Sequence, residues 1–140
     1  MNIEIDTLNA NETWPIRQVV FAPDQPVSQS VLEDDTSGQH FGLRVEGRLV
    51  AVASLFVAGT EARLRKLAVL GDYRNLGLGT RLVEHVSTQA QTADVARLWC
   101  RIRVPSLPFY QRLGFVEIAD SRHRKGTLTY CHIERQLARP

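Results

Sequence analysis

Leu64-Arg65-Lys66-Leu67-Ala68-Val69-Leu70-Gly71-Asp72-Tyr73-Arg74-Asn75-Leu76-Gly77-Leu78-Gly79-Thr80-Arg81-Leu82 decides how the rest of the chain is read. A strand ends, a turn carries glycines two apart, and an amphipathic helix begins at once, with Leu78, Leu82, Val83 and Val86 on one face. Glycine lets backbone approach a ligand closely because it has no Cβ. A fresh helix N-terminus offers unpaired N–H groups and partial positive charge, which together attract anions. Arg74 adds a full positive charge, so the segment describes a cradle for a diphosphate. Two other phosphate loops fail on the residues themselves. A Walker loop needs lysine before its Ser or Thr, and Thr80 follows Gly79 directly. A dinucleotide fingerprint needs a third glycine where this chain reads Thr80-Arg81-Leu82.

Outward from this segment, Ile3, Ile5 and Leu8 alternate with polar residues as a short strand does. Thr13 is placed to cap a helix whose first turn holds Trp14 and Pro15, with Ile16, Val19 and Val20 as a buried stripe up to Phe21. Ala22 to Gln39 lacks periodicity and predicts a binding loop or lid, interrupted by a short helix around Ser28–Leu32. His40–Glu46 and Arg48–Val57 flank Gly47 as a hairpin, and Glu61–Val69 adds a third strand. Arg97–Arg103 predicts a strand, then a short helix capped by Ser106 and ended by Gly114. Phe115–Ile118 and Leu128–Leu137 are the last strands, joined by a solvated turn at Arg122, His123, Arg124, Lys125 and Gly126. The order is an antiparallel meander passing into a βαβ unit, without repeats or low-complexity linkers, read as one domain over 1–140.

Composition narrows the classes. A chain of 140 residues with 44% apolar and 23% charged residues can bury about two-thirds of its unfolded surface, without a metal or disulfide. The uncharged stretch Leu49–Thr60 is shorter than the roughly 20 residues of a membrane-spanning helix. Met1–Asp6 lacks the basic start and apolar core of a signal peptide, so a cytoplasmic location is the expectation. Net charge is +2, yet 15 of the 17 basic residues are arginine, whose planar fork suits phosphate and carboxylate. No basic run is interleaved with aromatics, which speaks against nucleic acid. Cys100 and Cys131 lack the paired spacing of a zinc site and read as buried free thiols; the four histidines are scattered, and no metal is expected.

Arg74, Gly77 and Gly79 fill the fixed positions of R-x-x-G-x-G, and the chain resembles the GNAT (GCN5-related N-acetyltransferase) superfamily there. Some 30 residues on, Phe109-Tyr110-Gln111-Arg112-Leu113-Gly114-Phe115 is similar to the F-Y-x-x-x-G-F motif common late in that superfamily. The closing strand also resembles the family's end, and Ile16–Phe21 resembles an early helix of some members. The resemblance implies an α+β fold, its mostly antiparallel sheet splayed where two parallel strands part around acetyl-CoA. It implies that Asn75, Leu76, Gly77, Leu78, Gly79 and Thr80, with Arg74, surround the pyrophosphate, and that Leu67, Ala68 and Val69 pair with the pantetheine arm. Tyr110 inherits protonation of the departing thiolate; a hydrophobic helix-end contact with Phe115 is its structural alternative. The resemblance also implies a primary amine as acceptor, attacking the thioester directly. Small amine, amino acid, antibiotic and protein N-terminus stay open, and homodimers are common among relatives. Glu61, Glu33, Asp34, Asp35 and His40 are candidates for the base, none singled out. Where many members carry asparagine near the end of the fifth strand, this chain reads Arg101-Ile102-Arg103-Val104. The resemblance places the strands of Cys100 and Cys131 side by side. A non-catalytic CoA or acyl-CoA sensor is the rival reading.

Overall fold

A computed structural model describes residues 1–137. Strands β1 (Ile3–Leu8), β2 (Gln39–Val45), β3 (Arg48–Ala58) and β4 (Glu61–Val69) form an antiparallel meander. Helix α1 (Ala10–Phe21) lies between β1 and β2 in the chain; α2 (Leu78–Thr92) joins β4 to β5 (Arg97–Arg103). Helix α3 (Leu107–Arg112), β6 (Val116–Glu117), β7 (His123–Lys125) and β8 (Leu128–Gln136) complete the chain. The eight strands make one sheet in the order β1-β2-β3-β4-β5-β8-β6, with β7 also on β8. Only β4 and β5 run parallel.

Alternation along β3 sorts the two layers. Ala51 and Ala53 belong to a core shared with Leu78, Leu82, Val83 and Val86 of α2. Val52, between them, packs with Leu8, Ile16 and Ala68 under α1. A strand points successive side chains to opposite faces, so α1 covers one face and α2 with α3 the other.

Several expectations are corrected. Helix α1 starts at Ala10, with Asn9 extended before it and the Asn9 N–H donating to Glu12 Oε1 at 3.3 Å. Thr13 is therefore no cap: it is buried, and its hydroxyl donates to the Ala10 carbonyl at 2.7 Å. Pro15 falls in the second turn, where it costs one helical hydrogen bond. The buried face is Thr13, Ile16 and Arg17, whereas Val19 and Phe21 are about half exposed. The face turns because Arg17, 1% exposed, is drawn inward by Asp35.

The segment 22–39 folds as two 3₁₀ turns, Val27–Ser30 and Asp35–Ser37, the first beginning one residue before the expected helix. Asp35 anchors it. Its Oδ2 accepts from Trp14 Nε1 (3.0 Å), Arg17 Nη1 (2.9 Å) and the Leu32 N–H (2.9 Å), and its Oδ1 from Arg17 Nη2 (3.0 Å). Arg17 also donates to Ser54 Oγ on β3 and the Ser30 carbonyl, and His40 Nδ1 lies 2.7 Å from the same Ser54 hydroxyl. His123, Arg124 and Lys125 lie not in a solvated turn but in β7, which pairs with β8 around the left-handed Gly126.

Candidate active site

The site begins where β4 and β5 part. They pair only at Glu61–Arg97, Ala62–Leu98 and Arg63–Trp99. From Leu64 onward the β5-facing edge of β4 has no strand partner. The same strand carries a bulge: Ser54 stands opposite Arg65 and Val52 opposite Ala68, so Lys66 and Leu67 share the place opposite Ala53. Lys66 takes a left-handed φ of 57° to make it. Bulges bend a strand and re-aim its groups, and they recur beside active sites.

After β4, Gly71–Tyr73 makes a single 3₁₀ turn and Arg74 folds back, its Nε donating to the Val69 carbonyl at 3.3 Å. Asn75 and Gly77 are both left-handed, at φ 63° and 76°, which turns the chain sharply into α2. For Gly77 that conformation is free of the Cβ penalty. The first helical bond runs from Arg81 N to the Gly77 carbonyl at 3.2 Å. The N–H groups of Gly77 to Thr80 thus precede any helical acceptor, and the positive end of the helix dipole coincides with them. At Gly79 an added Cβ would lie 3.3 Å from Phe109 Cζ and 3.8 Å from Val69 Cγ2, so a side chain here presses lightly on Phe109.

Two adjoining clefts open between the parted strands. The larger, about 800 Å³, is lined by Leu67, Val69, Arg74, Asn75, Gly77, Leu78, Gly79 and Thr80 from the expected set. Ala68 is buried beneath α1 instead, and Leu76 projects outward, about half exposed. Residues to which the sequence reading gave no site role complete the wall: Val20 and Phe21 from α1, Tyr73, Ser106, and Phe109 and Arg112 of the late motif. Arg103 joins Arg74 and Arg112 there, so no carboxylate dilutes the positive lining.

The smaller cleft, about 350 Å³, shares Phe21, Leu67, Arg103 and Ser106 with the first and reaches Tyr110. Tyr110 is 7% exposed, its ring edge-to-face with Phe109 (4.9 Å) and Phe115 (5.6 Å). Its hydroxyl bonds to the Cys100 sulfur. Burial first, then this sulfur, hold the phenol well above its ordinary pKa, so it keeps its proton at neutral pH. Burial likewise pushes the Cys100 thiol up to about 12. Cys131 is also a buried free thiol, paired in register with Ile102 rather than with Cys100.

None of the five candidate bases lines either cleft. Asp35 and His40 are buried and engaged with Arg17 and Ser54. Glu61 pairs with Arg97 at 3.4 Å and Asp34 with Arg65 at 3.5 Å, while Glu33 is exposed. Among the described residues, no cluster of three or more His, Cys, Asp or Glu could hold a metal, and no helix is long and apolar enough to cross a membrane.

A mostly antiparallel sheet, one splayed parallel pair and a glycine turn feeding a helix N-terminus define a domain of the acyl-CoA N-acyltransferase type. The family model of the acetyltransferase (GNAT) family matches residues 8–115, and the chain belongs to that family. It is 28% identical over 127 residues to the uncharacterised N-acetyltransferase YitI of Bacillus subtilis (strain 168), covering 84% of this chain and 85% of that one. It is 34% identical over 87 residues to the [ribosomal protein bS18]-alanine N-acetyltransferase of Escherichia coli (strain K12), covering 60% of this chain and 59% of that protein. A crystal structure of the Escherichia coli ribosomal-protein-S18-alanine N-acetyltransferase shares the fold at TM-score 0.80 and 24% identity, over 99% of this chain and 96% of that one. So does a GNAT family acetyltransferase from Elizabethkingia anophelis with acetyl-CoA bound, at TM-score 0.76 and 16% identity, over 97% and 99% of the two chains.

Proposed function

We propose that this protein transfers an acetyl group from acetyl-CoA to a primary amine by direct attack. The observation that carries this reading is the Arg74–Thr80 turn at the N-terminus of α2, opening on a carboxylate-free cleft where β4 and β5 separate. In this reading the N–H groups of Gly77 to Thr80 hold the pyrophosphate, helped by Arg74. The unpaired edge of β4 from Leu67 to Val69 pairs with the pantetheine arm. An N–H on that edge polarises the thioester carbonyl as an oxyanion site does.

The amine nitrogen then attacks the carbonyl carbon, the C–N bond forms and the C–S bond breaks. Tyr110, protonated at neutral pH, delivers its proton to the departing thiolate. No Asp or Glu lines the smaller cleft, so water takes the proton the amine sheds. In keeping with this reading, residues 1–140 act as one cytoplasmic domain that pairs as a homodimer, which sedimentation velocity tests. An acyl-CoA sensor without turnover is the second reading, favoured by the burial of Tyr110 and its bond to Cys100. Amine-dependent thiol release from acetyl-CoA separates the two: release supports the enzyme, and tight binding without release across a broad amine panel supports the sensor.

A further inference from the structure

The smaller cleft is lined by Arg63, Arg65, Lys66, Arg101, Arg103 and Lys125, with no Asp or Glu among its walls. Among the described residues, Arg65 is the one of these six cations with a carboxylate partner, Asp34 at 3.5 Å. Arg101 spends its Nε on His123 (2.9 Å) and lies over the Tyr130 ring at 4.0 Å, leaving the guanidinium charge unanswered. Arg63 lies over Trp99 at 4.7 Å, and its Nε is buried without a hydrogen-bond partner. That donor is free to meet an acceptor brought by a ligand, whereas Arg17 Nε, buried without a partner as well, is closed inside the Asp35 clamp. The cations also press on one another. Burial first and then Arg65 lower the pKa of both Lys66 and Arg63, with further cations adding to it for Lys66.

The arrangement is a consequence of the fold. Leu98, Cys100 and Ile102 of β5 point into the core with α2, which turns Trp99, Arg101 and Arg103 to the other face. Helix α1 packs mainly on β2 to β4 and reaches this face only with Phe21 at its end. Parted strands and a bulge then place Arg63, Arg65 and Lys66 of β4 across from Arg101 and Arg103. The diphosphate of the cofactor has its own cradle at α2 and Arg103 is shared by both clefts, so the charges of Arg63, Arg65, Lys66, Arg101 and Lys125 are left for the other substrate.

Resting on the acetyltransferase reading, we propose that the acceptor is an anionic amine, carrying carboxylates beside the nucleophilic nitrogen, as an acidic amino acid or an acidic peptide N-terminus does. Like charges in a small cleft disfavour a polycationic acceptor and favour the acidic one, and they also promote the neutral form of the entering amine. The test uses the purified full chain with acetyl-CoA and three hexapeptides of alanine N-terminus, with glutamates, glutamines or lysines at the next positions, beside free glutamate and free lysine. The glutamate peptide should exceed the glutamine peptide in kcat/KM by about tenfold, with the lysine peptide lowest and the advantage shrinking as salt rises.

Lys125 lines only this cleft, and Lys125→Glu should cut the preference about fivefold while leaving acetyl-CoA affinity by calorimetry unchanged. Anisotropy of the labelled glutamate and lysine peptides reads binding without turnover and should rank them alike. Equal or better use and binding of the lysine peptide overturns the proposal, while its amine-dependent thiol release still upholds the function. Loss of acetyl-CoA affinity in Lys125→Glu overturns it by giving the cleft to the cofactor. Whether free glutamate or the glutamate peptide is the better substrate separates the two sources of the same chemistry.

Discussion

Replacing Asp35 by asparagine tests whether one buried ion pair fixes the segment 22–39, which the sequence reads as a lid but which contributes no lining to either cleft. The carboxylate accepts four hydrogen bonds and neutralises Arg17, which is 1% exposed. Three of the four donors converge on Oδ2, so the asparagine oxygen must take that place. Its amide would then face Arg17 Nη2, donor against donor, and the guanidinium charge would stay buried without its counter-ion. Breaking a buried pair from one side costs about 3–5 kcal/mol, a large part of a total of about 5–15 kcal/mol. At about 3 °C per kcal/mol for a chain of this size, the melting temperature should fall by about 10–15 °C. Differential scanning calorimetry at pH 7 reads this, with Asp6→Asn at the exposed Arg44 pair (3.0 Å) as a control expected to shift it by less than about 3 °C.

The wild type adds a pH signature. Burial alone would raise the Asp35 pKa, but the hydrogen bonds from Arg17, the Leu32 N–H and Trp14 outweigh it and hold the value below the ordinary 3.8. The unfolded chain therefore binds the proton more readily, and the contribution is fully present above pH 3.8 and lost as pH falls through the folded value. Asp35→Asn should be missing this part of the acid sensitivity. A variant that melts within about 3 °C of wild type would refute the clamp.

Tyr110→Phe keeps both edge-to-face ring contacts and loses only the bond to Cys100, so stability should change by less than about 1 kcal/mol while kcat falls about a hundredfold. Full activity in steady-state thiol release would return Tyr110 to a purely structural role. Gly79→Leu should melt near wild type, since α2 accepts leucine, yet weaken acetyl-CoA more than tenfold as its side chain meets Phe109 and fills the cleft. Unchanged affinity would remove the loop from the cofactor site. Thiol titration of the unreduced protein should find Cys100 and Cys131 both free after unfolding, with Cys100 inert in the native state at pH 8. Finding no free thiol would mean a disulfide.

The turn at Arg74–Thr80 was legible because its residue types answer a backbone demand: glycine where φ is positive, arginine beside a helix start. Gly77 and Gly126 take left-handed conformations in the turns the sequence marks. What stayed hidden depends on partners distant in sequence. Arg17 finds Asp35 eighteen residues away across a segment without periodicity, and that pair rotates α1 so that Phe21 faces the clefts instead of the core. The bulge at Lys66 shows in the sequence as two successive basic residues, Arg65-Lys66, a break in the alternation of β4 that does not by itself separate a bulge from a strand end. β7 is three polar residues at an edge, with no buried face to print a pattern. The cationic cleft was missed for a related reason: Arg63, Arg101 and Lys125 come from three strands, and only the splay of the sheet brings them together.

Isothermal titration of the purified protein with acetyl-CoA, against free adenosine as control, tests the central claim most directly. Saturable binding near micromolar strength, about −8 kcal/mol, with none for adenosine is the predicted result. Absence of heat with acetyl-CoA would contradict both the enzyme and the sensor readings and leave the Arg74–Thr80 turn as a structural element alone.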